Sequence, residues 1–133
     1  MKFDTEFIKK ILLIVEAEKD YVIGSHALMK ELGVKTKEQE RKFMGHILLM
    51  ADCHLLESIS AKYPFGFVYC VGGEYSIIDV NYRLTARGYE LIDIINNKEI
   101  FEKVKHLSVD NALEVSRQLL IRKAVGDRRR KLL

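Results

Sequence analysis

The stretch Tyr82–Ile95 constrains this chain more than any other, because its periodicity changes part-way along. Tyr82 and Leu84 alternate with Arg83, as in a strand covered on one face. Further on, Leu91, Ile92 and Ile95 fall on one side of a helix, with Arg87, Glu90 and Asp93 towards water. Thr85 stands at the changeover, where its hydroxyl oxygen can accept from the orphan amides of the new helix. Gly88 lies in the first turn, where the missing side chain allows close packing on a strand behind it. Such a joint requires a sheet that hands directly to a helix.

Composition then narrows the class. A chain of 133 residues, 48% hydrophobic and 31% charged, is long enough for one core without disulfide or metal staples. One proline and no Ser/Gly-rich run give no sign of a disordered linker. The amino-terminal residues lack a secretory apolar run, and Ile11–Val15 is too short to span a bilayer. Cys53 and Cys70 make only one pair, so reduced thiols, a cytoplasmic location and no membrane are expected. The net charge of +3 is unevenly placed. From Arg122 to Leu133 six basic residues face Asp127 alone, which is +5. The remaining body, with 16 basic and 18 acidic residues, is −2.

Along the chain, Asp4 or Thr5 can cap a first helix whose apolar face runs from Phe7 to Val15. Tyr21–Ile23 reads as a very short strand ended by Gly24. Ser25 is the expected N-cap of a helix over Ala27–Leu32, with Gly33 as its C′ residue. Thr36 and Gln39 form a capping box that opens a longer helix, Lys37–Asp52. Its inward residues are expected to be Phe43, Ile47, Leu48, Met50 and Ala51, with Arg41, Lys42, Gly45, His46 and Leu49 on or near the other face. Leu56–Ser60 reads as a strand, and Phe65–Val71 and Glu74–Val80 flank a tight Gly72-Gly73 turn. After the Thr85 helix, Ile100, Phe101 and Val104 mark a short helix, and Ser108 or Asp110 caps a last one.

The order is helix, short strand, helix, longer helix, strand, hairpin, strand and terminal helices. That order predicts an α+β, mostly helical fold: a winged helix-turn-helix with a long β-hairpin wing and additional C-terminal helices. Residues 1–125 are read as a single domain and 126–133 as a flexible basic tail.

Several short segments carry a family resemblance. They are Met1-Lys2 with Asp4, Ile8–Leu13, Gly45–Leu49, Tyr82–Thr85 with Gly88, and Ile100–Lys105. Over about residues 1–120 the chain resembles the domain of unknown function 2513 family of bacterial and phage or prophage proteins. It departs from the family in the aromatic-rich segment Phe65–Tyr75 and in the longer basic tail. The resemblance implies a winged-helix-like fold and a mobile-element origin, and brings no catalytic residue with it.

Two function classes follow. In the first, the Lys37–Asp52 helix enters the major groove of double-stranded DNA as a regulator's recognition helix. Lys37, Gln39, Arg41, Lys42 and His46 then face bases or phosphates, and Arg128, Arg129, Arg130 and Lys131 add phosphate contacts. Glu38 and Glu40 on the same helix oppose this, as does a wing with Lys62 alone against Glu74 and Asp79. In the second class the protein engages a host protein, for instance as a phage-encoded inhibitor, through Tyr63, Phe65, Phe67, Tyr69 and Tyr75. The bland alternative for those rings is packing onto the core. The last helix either completes the core or forms a homodimer seam.

No enzyme is expected. Cys53, His54, Cys70 and His46 show no recurring metal-ligand spacing, and His26 and His106 lack a nucleophile and carboxylate set. Gly72-Gly73 is not followed by the Lys-Ser/Thr of a phosphate loop. No catalytic residue, metal or cofactor is assigned.

Overall fold

The computed structural model describes residues 4–59 and 62–132, with side chains throughout except at 120, 121 and 123–132. Among these residues there are six α-helices and small antiparallel sheets, an α+β arrangement. The elements are α1 (Thr5–Ala17), β1 (Ile23–Gly24), α2 (Ser25–Glu31), α3 (Lys37–Asp52), β2 (Leu56–Ser58), β3 (Phe67–Tyr69), β4 (Tyr75–Ile77), β5 (Asn81–Leu84), α4 (Ala86–Asn96), α5 (Lys98–Val104) and α6 (Val109–Leu132). Backbone contacts divide the chain into two units, Met1–Tyr89 and Glu90–Leu133. No helix among the described residues is long and apolar enough to cross a membrane.

In the first unit β5 is the central strand of a three-stranded sheet ordered β1-β5-β2. Tyr82 pairs with Ile23 on one side and Ser58 on the other. Along β5, Tyr82 and Leu84 are buried while Asn81 and Arg83 are exposed, which is the alternation read from the sequence. The joint after it also takes the expected form. The Gly88 amide donates to Thr85 Oγ1 at 3.2 Å, and the Thr85 amide donates to the Leu55 carbonyl at 3.1 Å. A Cβ at position 88 would lie 2.3 Å from that carbonyl oxygen, so only glycine lets α4 start this close to the chain entering β2.

Helix starts follow local chemistry with one exception. Asp4 caps α1 through the Phe7 amide, and Thr36 and Gln39 close the capping box of α3. Gly33 takes a positive φ of 72° just past α2. The exception is Ser25. The N-cap of α2 is Gly24, and the helix begins at Ser25 rather than Ala27. The Ser25 hydroxyl is turned away from its own helix, for a reason given below.

The core of this unit joins Ile11 and Leu12 of α1, Leu28 of α2, Phe43, Ile47 and Met50 of α3, and Leu55, Leu56 and Tyr82. Helix α3 is rotated relative to the sequence reading: Met44 and His46 are buried, whereas Leu48 is exposed. The rotation follows from what flanks α3, with Phe7 of α1 against the His46 ring and Phe67 of β3 edge-on to Phe43.

In the second unit the buried residues are Leu91, Ile92, Ile94 and Ile95 of α4, Ile100 and Val104 of α5, and Ala112, Leu113 and Ser116 of α6. Asn97 caps α5 through the Ile100 amide, and Ser108 caps α6 through the Asn111 amide. Arg117 of α6 grips the Glu90 carboxylate in a two-pronged ion pair. Helix α6 continues through Leu132, so residues 126–132, expected as a flexible tail, have helical backbone.

Candidate functional site

Helix α3 was expected to carry the DNA contacts, and its side chains divide by what already holds them. His46 is fully buried, which removes it from any groove-facing surface. Its Nε2 accepts the Asp4 amide proton at 2.9 Å and its Nδ1 meets the Lys42 carbonyl at 2.8 Å. With Nε2 accepting from an amide, the ring proton is assigned to Nδ1. The imidazole thus ties the start of α1 to α3.

Lys42 is drawn to the same place, pairing with Asp4 Oδ2 at 2.7 Å and lying 4.8 Å from the centre of the Phe7 ring. This hydrogen bond to Lys42, with the Phe7 amide, holds the Asp4 carboxyl below its ordinary value. The Gln39 side-chain oxygen accepts from the Lys35 and Thr36 amides at 2.7 and 3.1 Å, so it serves the cap. Of the five α3 candidates, Lys37 and Arg41 stay exposed outside such contacts. The outward stripe at helical spacing is Lys37, Glu38, Arg41, Gly45, Leu48 and Asp52, two cations against two carboxylates. Over residues 1–89, twelve basic residues are balanced by twelve acidic ones. The side chains of Arg128, Arg129, Arg130 and Lys131 lie outside the described residues.

The hairpin β3–β4 forms a second sheet, pairing Phe67 with Ile77, Val68 with Ser76 and Tyr69 with Tyr75. Its root is firmly mounted. Buried Ser25 donates its hydroxyl proton to the Ile78 carbonyl at 2.9 Å and accepts the Val80 amide at 3.1 Å. The Asp79 carboxylate accepts the His26 amide at 3.2 Å, supplying from 53 residues away the cap that the start of α2 lacks locally. His26 Nε2 meets the Ile77 carbonyl at 2.9 Å. On the other arm Tyr82 donates its hydroxyl proton to the Phe65 carbonyl at 2.5 Å, and burial pushes that phenol well above its ordinary pKa. Phe65 is held at φ 63°, a left-handed conformation rarely adopted by bulky side chains. Gly66 follows at φ 78°, and a Cβ there would lie 2.2 Å from the Ile78 oxygen. Strained backbone of this kind persists only where its surroundings dictate it. No single segment of sequence advertises the clamp, because its partners come from α2, the hairpin root and β5.

The five hairpin aromatics separate accordingly. Phe67 is buried on Phe43, and Phe65 packs between Phe67 and Tyr82 with ring centres 6.4 and 5.8 Å apart. Tyr75 reaches α3, donating its hydroxyl proton to Glu40 Oε2 at 2.8 Å, and that hydrogen bond raises its pKa. Tyr69 and Val71 remain at the tip, 67% and 97% exposed, and Tyr63 is 37% exposed beside the Lys62 ammonium. Between the hairpin turn and α3 lies a polar recess of about 180 Å³, lined by Lys37, Glu40, Arg41 and Gly72 to Tyr75.

Among the described residues no group of three or more His, Cys, Asp or Glu side chains is placed to hold a metal ion. Neither cysteine is in a disulfide, and Cys53 is half-buried while Cys70 is exposed. Comparison with known proteins finds no matching family model, no similar curated protein and no similar solved structure.

Proposed function

We propose that this chain is a non-enzymatic protein-interaction module of phage or mobile-element type, acting in the cytoplasm on a host protein through the tip of its β3–β4 hairpin. The scaffold we assign is a winged helix-turn-helix. The order α1-β1-α2-α3-β2-hairpin-β5, with β5 between β1 and β2, supports that assignment. The observation that carries the functional reading is the contrast between two surfaces. A hairpin held at its root by buried hydrogen bonds keeps Tyr69 and Val71 out in water, while the outward face of α3 is charge-balanced, with Lys37 and Arg41 against Glu38 and Asp52. Exposed aromatic and apolar groups on a fixed support suit the desolvated core of a protein interface. Duplex DNA, whose affinity comes chiefly from phosphate neutralisation, gains little from either surface.

A second reading, DNA binding by α3, draws on Lys37 and Arg41. They stay exposed at the end of the helix that helix-turn-helix proteins turn towards base edges. One set of variants separates the readings. The double variant Tyr69→Ser/Val71→Ser and the single variant Arg41→Ala are compared with the wild type. Each is titrated against duplex DNA at several salt concentrations, and each is tested for direct binding to the host protein that the wild type captures once that protein is purified. The interaction reading expects loss of that binding in the tip variant and no salt-dependent DNA binding in the wild type or in either variant. Duplex binding that weakens with Arg41→Ala and ignores the tip would overturn it.

A further inference from the structure

We infer that the recess between the hairpin turn and the start of α3 seats a carboxylate side chain of the protein partner, an inference that rests on the interaction reading above. Lys37 and Arg41 stand one helical turn apart on the same face of α3, so both reach one bound group. At about 180 Å³ the recess is several times the volume of a water molecule, enough for a carboxylate. Its opposite wall includes the glycine pair of the turn. Gly72 and Gly73 have φ of 79° and 78°, and a Cβ at either would meet nothing within 4 Å, so a ligand can approach the turn closely.

The recess also contains two carboxylates, and they are not equivalent. Glu40 already accepts the Tyr75 hydroxyl proton at 2.8 Å. Glu74 is exposed on the turn, and it is the group that competes with an incoming anion for Lys37 and Arg41. A planar guanidinium favours a carboxylate because two parallel N–H groups match its two oxygens. The recess adjoins the tip: Val71 precedes Gly72, and Tyr69 is the cross-strand partner of Tyr75. The partner segment therefore places an acidic residue next to an apolar one.

The test uses the whole chain labelled with ¹⁵N and titrated with sodium acetate, then separately with inorganic phosphate, at ionic strength fixed by sodium chloride. Saturable shifts from acetate are expected at the Gly72 and Gly73 amides and at the Arg41 side-chain N–H. Arg41→Gln abolishes the saturation while leaving the rest of the spectrum in place, and Glu74→Gln strengthens binding several-fold. Unsaturable shifts spread over the surface would overturn the site. Saturation by phosphate without acetate would overturn the carboxylate assignment, as would an unchanged response in both variants. A failed acetate titration beside a tip variant that still loses its partner would leave the interaction reading standing and remove only the recess.

Discussion

Replacing Gly88 with alanine sets helix propensity against packing, and the two give opposite signs. In an exposed helix interior the change stabilises by about 1 kcal/mol. Here the added methyl would lie 2.3 Å from the Leu55 carbonyl oxygen and 3.2 Å from Leu84 Cδ2. Carbon–oxygen contacts settle near 3.3 Å, so the start of α4 must withdraw by about 1 Å. That withdrawal pulls on the bond from the Thr85 amide to Leu55 and on the bond from the Thr85 hydroxyl to the His54 carbonyl. Overpacking against backbone costs about 1–3 kcal/mol, and each weakened hydrogen bond about 1 kcal/mol. After the propensity gain is subtracted, a net loss of at least about 2 kcal/mol remains. Urea unfolding followed by far-ultraviolet circular dichroism reads this as a midpoint lowered by about 1 M. A midpoint unchanged or raised would mean that the strand-to-helix joint is not packed as described, and the reasoning from Gly88 would fail with it.

Two further outcomes follow from the clamp and from the start of α1. Ser25→Ala removes the hydroxyl that serves the Ile78 carbonyl and the Val80 amide, and is expected to cost about 2 kcal/mol in thermal unfolding, with faster hydrogen exchange at Val80. A Val80 amide as protected in the variant as in the wild type would refute the clamp. Asp4 gives a pH effect. Its carboxyl is held below the usual value of 3.8, chiefly by Lys42, so the unfolded chain takes up its proton first as pH falls. The stabilisation is present above that value and is lost as pH drops through the lower folded-state pKa. Because the pair is partly exposed, the stabilisation is under about 1 kcal/mol. Melting curves of wild type and Asp4→Asn should therefore differ at neutral pH and converge in acid, and a constant gap across that range would contradict the assignment.

What could be read from the residues in order was whatever depends on near neighbours. The Asp4 cap, the Thr36–Gln39 box, Gly33 past α2 and the alternation of Tyr82 and Leu84 each involve groups within a few residues of one another. Even Gly88 was legible, since a glycine in the first turn after a strand has a steric meaning. The antiparallel pairing of β3 with β4 came from the same local logic, through a glycine pair that tolerates positive φ.

The tertiary structure alone decided which of several adequate choices each side chain took. His46 and Leu48 both sit near a helix boundary between inside and outside; Phe7 and Asp4, about forty residues earlier, bring His46 in and leave Leu48 out. Ser25 has the chemistry of an N-cap, yet Asp79 takes that task and frees the hydroxyl to hold the hairpin root. Strand alternation alone would put Phe65, Phe67, Tyr69 and Val71 on one face, but α3 and Tyr82 are near enough to cover only the first two. Burial is a property of what arrives from elsewhere in the chain, and one strand's pattern does not contain the length of the helix packed against it.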